Sequence, residues 1–69
     1  MKIEKKFGAR LRKLRRAQDL SQEALAMDAG TNRTYVSELE RGIKSPTIST
    51  LEQLAKSLSM SISELCEGL

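Results

Sequence analysis

Arg33, Thr34, Ser37, Glu38 and Arg41 set a row of hydrogen-bond donors and acceptors along one side of a helix. The chain has no histidine, and Cys66 is its only cysteine. The row is therefore not catalytic. No serine has a base to activate it, no Cys/His zinc site can be assembled, and the acids show no pairing suited to hydrolysis. What remains is recognition. A helix fits the major groove of B-DNA, and its first residues reach deepest. Arg33 can give guanine O6 and N7 two hydrogen bonds. Thr34 can bond a base or lay its methyl against that of thymine. Ser37 lies on the same face, and Glu38 can accept from a cytosine amino group. Tyr35 flanks this face and can pack on a sugar or a base step. Most surface helices have a polar outer face, so periodicity alone favours an ordinary solvated face.

The elements that must hold this row are short. Ser21 to Arg41 reads as two helices joined at Gly30-Thr31-Asn32. Ser21 is an N-cap residue type, and the spacing predicts a helix over 22–29. Gly30 follows, where a left-handed φ ends the helix cheaply. Asn32 caps the next helix, over 33–41, which Gly42 ends. Leu25, Val36 and Leu39 are expected in a shared core, with Ala26 and Gly30 as the small residues at the crossing. Ahead of this pair, Ile3, Phe7, Leu11, Leu14 and Gln18 recur on one face of a helix over 2–18 that Asp19-Leu20 breaks. Arg12, Lys13 and Arg16 point away from that stripe, and Gly8 weakens the helix locally. Thr47 caps a helix over 48–58, whose apolar face is Ile48, Leu51, Leu54, Ala55 and Leu58. Ser61-Ile62-Ser63-Glu64 has capping-box spacing, so a short fifth helix begins near Ile62. Met1 reads as the initiator, and Met27 and Met60 as packing. The expectation is one all-α, five-helix domain over residues 1–69.

Charge is lopsided along the chain. The net charge is +3, and residues 1–16 hold eight Lys/Arg against the single acid Glu4. From Ser45 onward there is one base, Lys56, against Glu52, Glu64 and Glu67. Such asymmetry suits one side meeting a polyanion and another meeting something else. The basic start has no apolar run behind it, so it is not a signal peptide, and no stretch is long enough to span a membrane. A cytoplasmic protein without cofactor or metal is expected.

The run SQEALAMDAGTNRTYVSELERG resembles the helix-turn-helix of the lambda-repressor/Cro-like (Xre) family of bacterial and phage regulators. The resemblance lies in Ser21-Gln22, Leu25-Ala26, Gly30, Val36, Leu39 and Glu40-Arg41-Gly42. It continues through Ser45-Pro46-Thr47, Leu51, Leu54-Ala55 and Leu58, and ends in Ser63-Glu64-Leu65. Within that family, Arg33-Thr34-Tyr35 is similar to the triplet of restriction–modification controller proteins. The resemblance implies a sequence-specific regulator of transcription with base contacts from Arg33, Thr34, Ser37 and Glu38. It implies DNA backbone contacts from Gln22 and Lys44, joined by Tyr35 at the helix flank. It also implies a partly buried ion pair between Arg15 and Glu40. The wheel agrees on that pair, since Glu40 points inward and would be costly unpaired. Many relatives have glutamine at position 33, so their operators do not transfer.

One helix of this length reads about four base pairs. A homodimer on a palindromic operator is therefore expected, with Met60, Ile62, Leu65, Cys66 and Leu69 as the dimer surface; the alternative is that these residues only close the monomer core. RNA polymerase is a further candidate partner, through Glu38 or the acids Glu23 and Asp28. Two rival functions stand beside this reading. One is a protein-interaction module, such as an antitoxin or anti-regulator with the same fold. The other is sequence-neutral nucleic-acid binding through the basic first helix.

Overall fold

The computed structural model describes residues 2–69, so the initiator Met1 lies outside the described residues. Five helices follow in order: α1 (Ile3–Ala17), α2 (Gln22–Asp28), α3 (Arg33–Glu40), α4 (Ile48–Ser57) and α5 (Ile62–Leu65). Their bounds differ from expectation only at the flanking cap residues. Among the described residues, no helix is long and apolar enough to cross a membrane.

The starts are set by side-chain oxygens that accept from otherwise unpaired amides of the first turn. Ser21 Oγ accepts from the Ala24 amide at 2.9 Å, and Asn32 Oδ1 from the Tyr35 amide at 2.9 Å. Thr47 Oγ1 accepts from the Thr50 amide at 3.1 Å. Ser61 and Glu64 form a full capping box, with both bonds at 3.0 Å.

The ends of α1 to α4 share one closure. The amides of Leu20, Thr31, Ile43 and Met60 reach back five residues to the carbonyls of Arg15, Ala26, Glu38 and Ala55. Each closure has a residue with positive φ just before it: Asp19 (56°), Gly30 (76°), Gly42 (75°) and Ser59 (57°). The glycines and the break at Asp19 were legible in the sequence. Ser59 was not, because serine is an uncommon occupant of that region.

The core is Phe7, Leu11, Leu25, Ala26, Ala29, Val36, Leu39, Leu54, Ala55, Leu58 and Leu65. Leu14, Leu20, Tyr35, Leu51, Met60, Ile62 and Cys66 pack partly against it. Each leucine sealed there stabilises the fold by roughly 1.5–3 kcal/mol. Gly8 has a role the sequence reading missed. A Cβ at this position would strike the Leu39 carbonyl oxygen and lie 2.5 Å from that of Glu40. Its bare backbone lets α1 cross the end of α3 at van der Waals distance. Gly30, by contrast, has open space around it and serves only its left-handed turn.

Three other expectations are corrected. Met27 is not packing: it stands 75% exposed on α2. Ile48 leaves the apolar face of α4 and is equally exposed, since it occupies the first turn, beyond the reach of the core. Leu65 is wholly buried in the monomer, so it is core and not dimer surface.

Candidate nucleic-acid interface

The α2–α3 unit is fixed from below by a buried ionic clamp. Arg15 is a buried residue of α1. Its Nε donates to Glu40 Oε2 at 2.6 Å and its Nη2 to Glu40 Oε1 at 2.9 Å. Its Nη1 donates to the Leu20 carbonyl at 2.7 Å. This two-pronged geometry suits a planar guanidinium and gives it direction as well as energy. The hydrogen bonds that Arg15 donates to Glu40 hold its proton more tightly than usual, against a smaller opposing effect of burial. Gln22 completes the group, its Nε2 donating to Glu40 Oε1 at 3.1 Å. The clamp thus ties α1, the α1–α2 turn, the first residue of α2 and the last of α3 into one polar joint.

Above the clamp, α3 presents the expected row. Arg33 and Thr34 are exposed in its first turn, while Tyr35, Ser37 and Glu38 are half-buried. Tyr35 lays its ring partly on the core, so its position follows that of the helix. Arg41 folds back along α3, its Nε donating to the Ser37 carbonyl at 3.4 Å. Thr31, Asn32, Thr34, Tyr35, Glu38 and Lys44 line an open polar cleft. Across it, Lys44 Nζ lies 3.5 Å from Glu38 Oε1. One residue expected to read a base and another expected to touch the DNA backbone are therefore partners of each other. The structure likewise sets Gln22, expected at the backbone, against Glu40.

The basic residues of α1 divide by job. Arg12, Lys13 and Arg16 are exposed, and among the described residues none has an ion pair. Arg15 belongs to the clamp. Arg10 is structural too: its Nη2 donates to the Glu64 carbonyl at 2.8 Å and lies 3.5 Å from Glu67 Oε2. It tethers α1 to the end of α5, a role that charge counting had merged with the general basic excess. Gln18 does similar work, its Nε2 donating to the Leu58 carbonyl at the end of α4.

The expected dimer residues are set around α5. Met60, Ile62 and Cys66 are half-buried, and Leu69 is 38% exposed. Cys66 and Leu69 line an apolar groove with Ile3, Phe7, Pro46 and Leu51.

This arrangement has close counterparts among known proteins. A family model described as helix-turn-helix matches residues 11–65. The uncharacterized HTH-type transcriptional regulator y4dJ of Sinorhizobium fredii is 40% identical over 65 residues, which cover 94% of this chain and 84% of that protein. The control protein C.MunI of a Mycoplasma species is 39% identical over 64 residues, covering 91% and 86% respectively. Among solved structures, the restriction-modification controller protein C.AhdI from Aeromonas hydrophila superposes with a TM-score of 0.88 at 44% identity, covering 90% of both chains.

Proposed function

The chain belongs to the helix-turn-helix family, and from that premise we propose how it works as a DNA-binding transcriptional regulator. It inserts α3 in the major groove and reads a palindromic operator as a homodimer. The observation that carries this is the exposed Arg33-Thr34 pair on the first turn of a helix whose other end is locked by Arg15 and Glu40. A reading helix needs rigid placement, because bidentate base contacts tolerate little misalignment. Arg33 addresses a guanine, Thr34 an adjacent base, and Ser37 and Glu38 the bases beside them. Gln22 and Tyr35 form the rim along which the DNA backbone passes, Lys44 stands at its edge beside Glu38, and Arg12, Lys13 and Arg16 add positive potential.

The dimer surface is the half-exposed apolar set Met60, Ile62, Cys66 and Leu69. Two protomers would double the contacts and couple operator occupancy to protein concentration. The narrower role is control of a restriction–modification system. The likeness to C.AhdI over nine-tenths of both chains supports that role, as does the Arg33-Thr34-Tyr35 triplet. Glu23, Met27 and Asp28, exposed together on α2, are the surface offered to RNA polymerase beside the operator.

The test is selection from a randomised duplex library followed by sequencing of the bound fraction. A sharp inverted repeat is the expected outcome. Smooth, salt-dependent binding without a motif would mark a sequence-neutral binder, and absence of binding a protein-interaction module.

A further inference from the structure

A carboxylate on a surface that meets DNA is a liability, and Glu38 holds one in the middle of the α3 face. Its side chain is 22% exposed, so it is partly withdrawn from the water that would otherwise screen it. At a closed interface, where solvent is thinned further, an uncompensated negative charge near phosphates repels more strongly than at a free surface.

The turn after α3 supplies the compensation. Gly42, at φ 75°, reverses the chain. The Ile43 amide then donates to the carbonyl of Glu38 itself at 3.0 Å. Those two features fold the next residue back over the helix, and Lys44 Nζ comes to 3.5 Å from Glu38 Oε1. Among the described residues, neither side chain has another ion pair. Glu38 Oε2 makes no hydrogen bond or ion pair within the same set, so it remains open as an acceptor.

We infer that Lys44 is a positioning residue that acts on DNA through Glu38: it neutralises and orients that carboxylate so that a base amino group can be read without repelling the phosphates. The inference rests on α3 being the reading helix. It differs from a lysine that simply grips a phosphate, because the pair then behaves as one neutral unit. Removing Lys44 alone leaves a bare carboxylate at the interface, whereas removing both charges leaves none.

The experiment is a double-mutant cycle with Lys44→Met and Glu38→Gln. Binding of the full chain to the library-selected duplex and to a random duplex is measured by fluorescence anisotropy over a series of salt concentrations. Helical circular dichroism and thermal melts confirm that each variant folds. In the wild-type background, Lys44→Met should weaken binding to the selected duplex about tenfold, within the coupling expected of contacting groups. In the Glu38→Gln background the same substitution should change affinity less than about twofold, with the salt slope of the double variant equal to that of the wild type. An equal loss from Lys44→Met in both backgrounds, with the slope flattened by about one unit each time, would overturn the inference while leaving the reading helix intact. A wild-type chain that prefers no duplex would overturn both.

Discussion

Arg15 of α1 and Glu40 of α3 meet through two hydrogen bonds of 2.6 and 2.9 Å, with side chains only 8% and 3% exposed. The two residues are 25 positions apart, and among the described residues no other side-chain hydrogen bond or ion pair joins α1 to α3. A buried charge that loses its partner costs far more than the pair contributes net, because the survivor stays desolvated. Arg15→Met or Glu40→Leu alone should therefore destabilise the fold by about 3–5 kcal/mol. The double substitution should recover much of that loss. Urea unfolding followed by circular dichroism measures all three. Similar stability for the single and double variants would show that the charges are not coupled.

Gly8→Ala should destabilise the domain, although alanine is normally the better helix former by roughly 1 kcal/mol. The added methyl meets the carbonyl oxygens of Leu39 and Glu40, which are backbone and cannot swing aside. Overpacking of this kind costs about 1–3 kcal/mol. A rise in melting temperature for Gly8→Ala would show that α1 and α3 are not in such close contact.

The α5 capping box gives a pH dependence of known sign. The Ser61 amide and then its hydroxyl stabilise the Glu64 carboxylate and hold its pKa below the usual glutamate value, with burial opposing slightly. A depressed pKa in the folded state means that the unfolded chain binds the proton more readily. The stabilisation is thus present above the ordinary carboxylate range and is lost as the solution is acidified through the lowered pKa. Amide exchange at Ser61 should accelerate across that acid window. In Glu64→Gln this carboxylate-linked step should vanish. Its persistence in the variant would assign it to another group.

Leu65 and Ile62 lie on one short helix but should fail differently. Leu65→Asp buries a charge in the monomer core and should abolish cooperative unfolding. Ile62→Asp, at a half-buried site, should leave a folded chain that sediments as a monomer, whereas the proposed assembly predicts a dimer for the wild type at the same concentration. Analytical ultracentrifugation paired with circular dichroism separates the two. A folded Ile62→Asp dimer would remove α5 from the interface.

Much of this molecule was readable before any coordinates. Ser21, Asn32, Thr47 and Ser61 announced their helix starts because capping is a local chemistry of one side chain and the next turn. Gly30 and Gly42 did the same for helix ends. The row on α3 followed from periodicity, and the Arg15–Glu40 pair from the family resemblance, with which the inward-facing position of Glu40 agreed. What stayed hidden was long-range. Gly8 looks like a weak helix residue until α3 is laid across it. Arg10 counts as one more surface cation until its guanidinium is found on the Glu64 carbonyl. Leu65 falls on an apolar side that is core or interface depending on what packs over it, and only the tertiary arrangement decides. The Glu38–Lys44 pair depends on how far the turn at Gly42 folds back, which spacing alone does not give.

The central claim is that α3 reads DNA through its first turn, and Arg33→Ala tests it most directly. With the operator recovered from the duplex library, affinities for that operator and for random duplex are compared between wild type and variant. The account predicts a loss of roughly 1–3 kcal/mol on the operator, a much smaller change on random DNA, and relaxed preference at one base pair in each half-site. Equal weakening on operator and random duplex, with base preference unchanged, would contradict it.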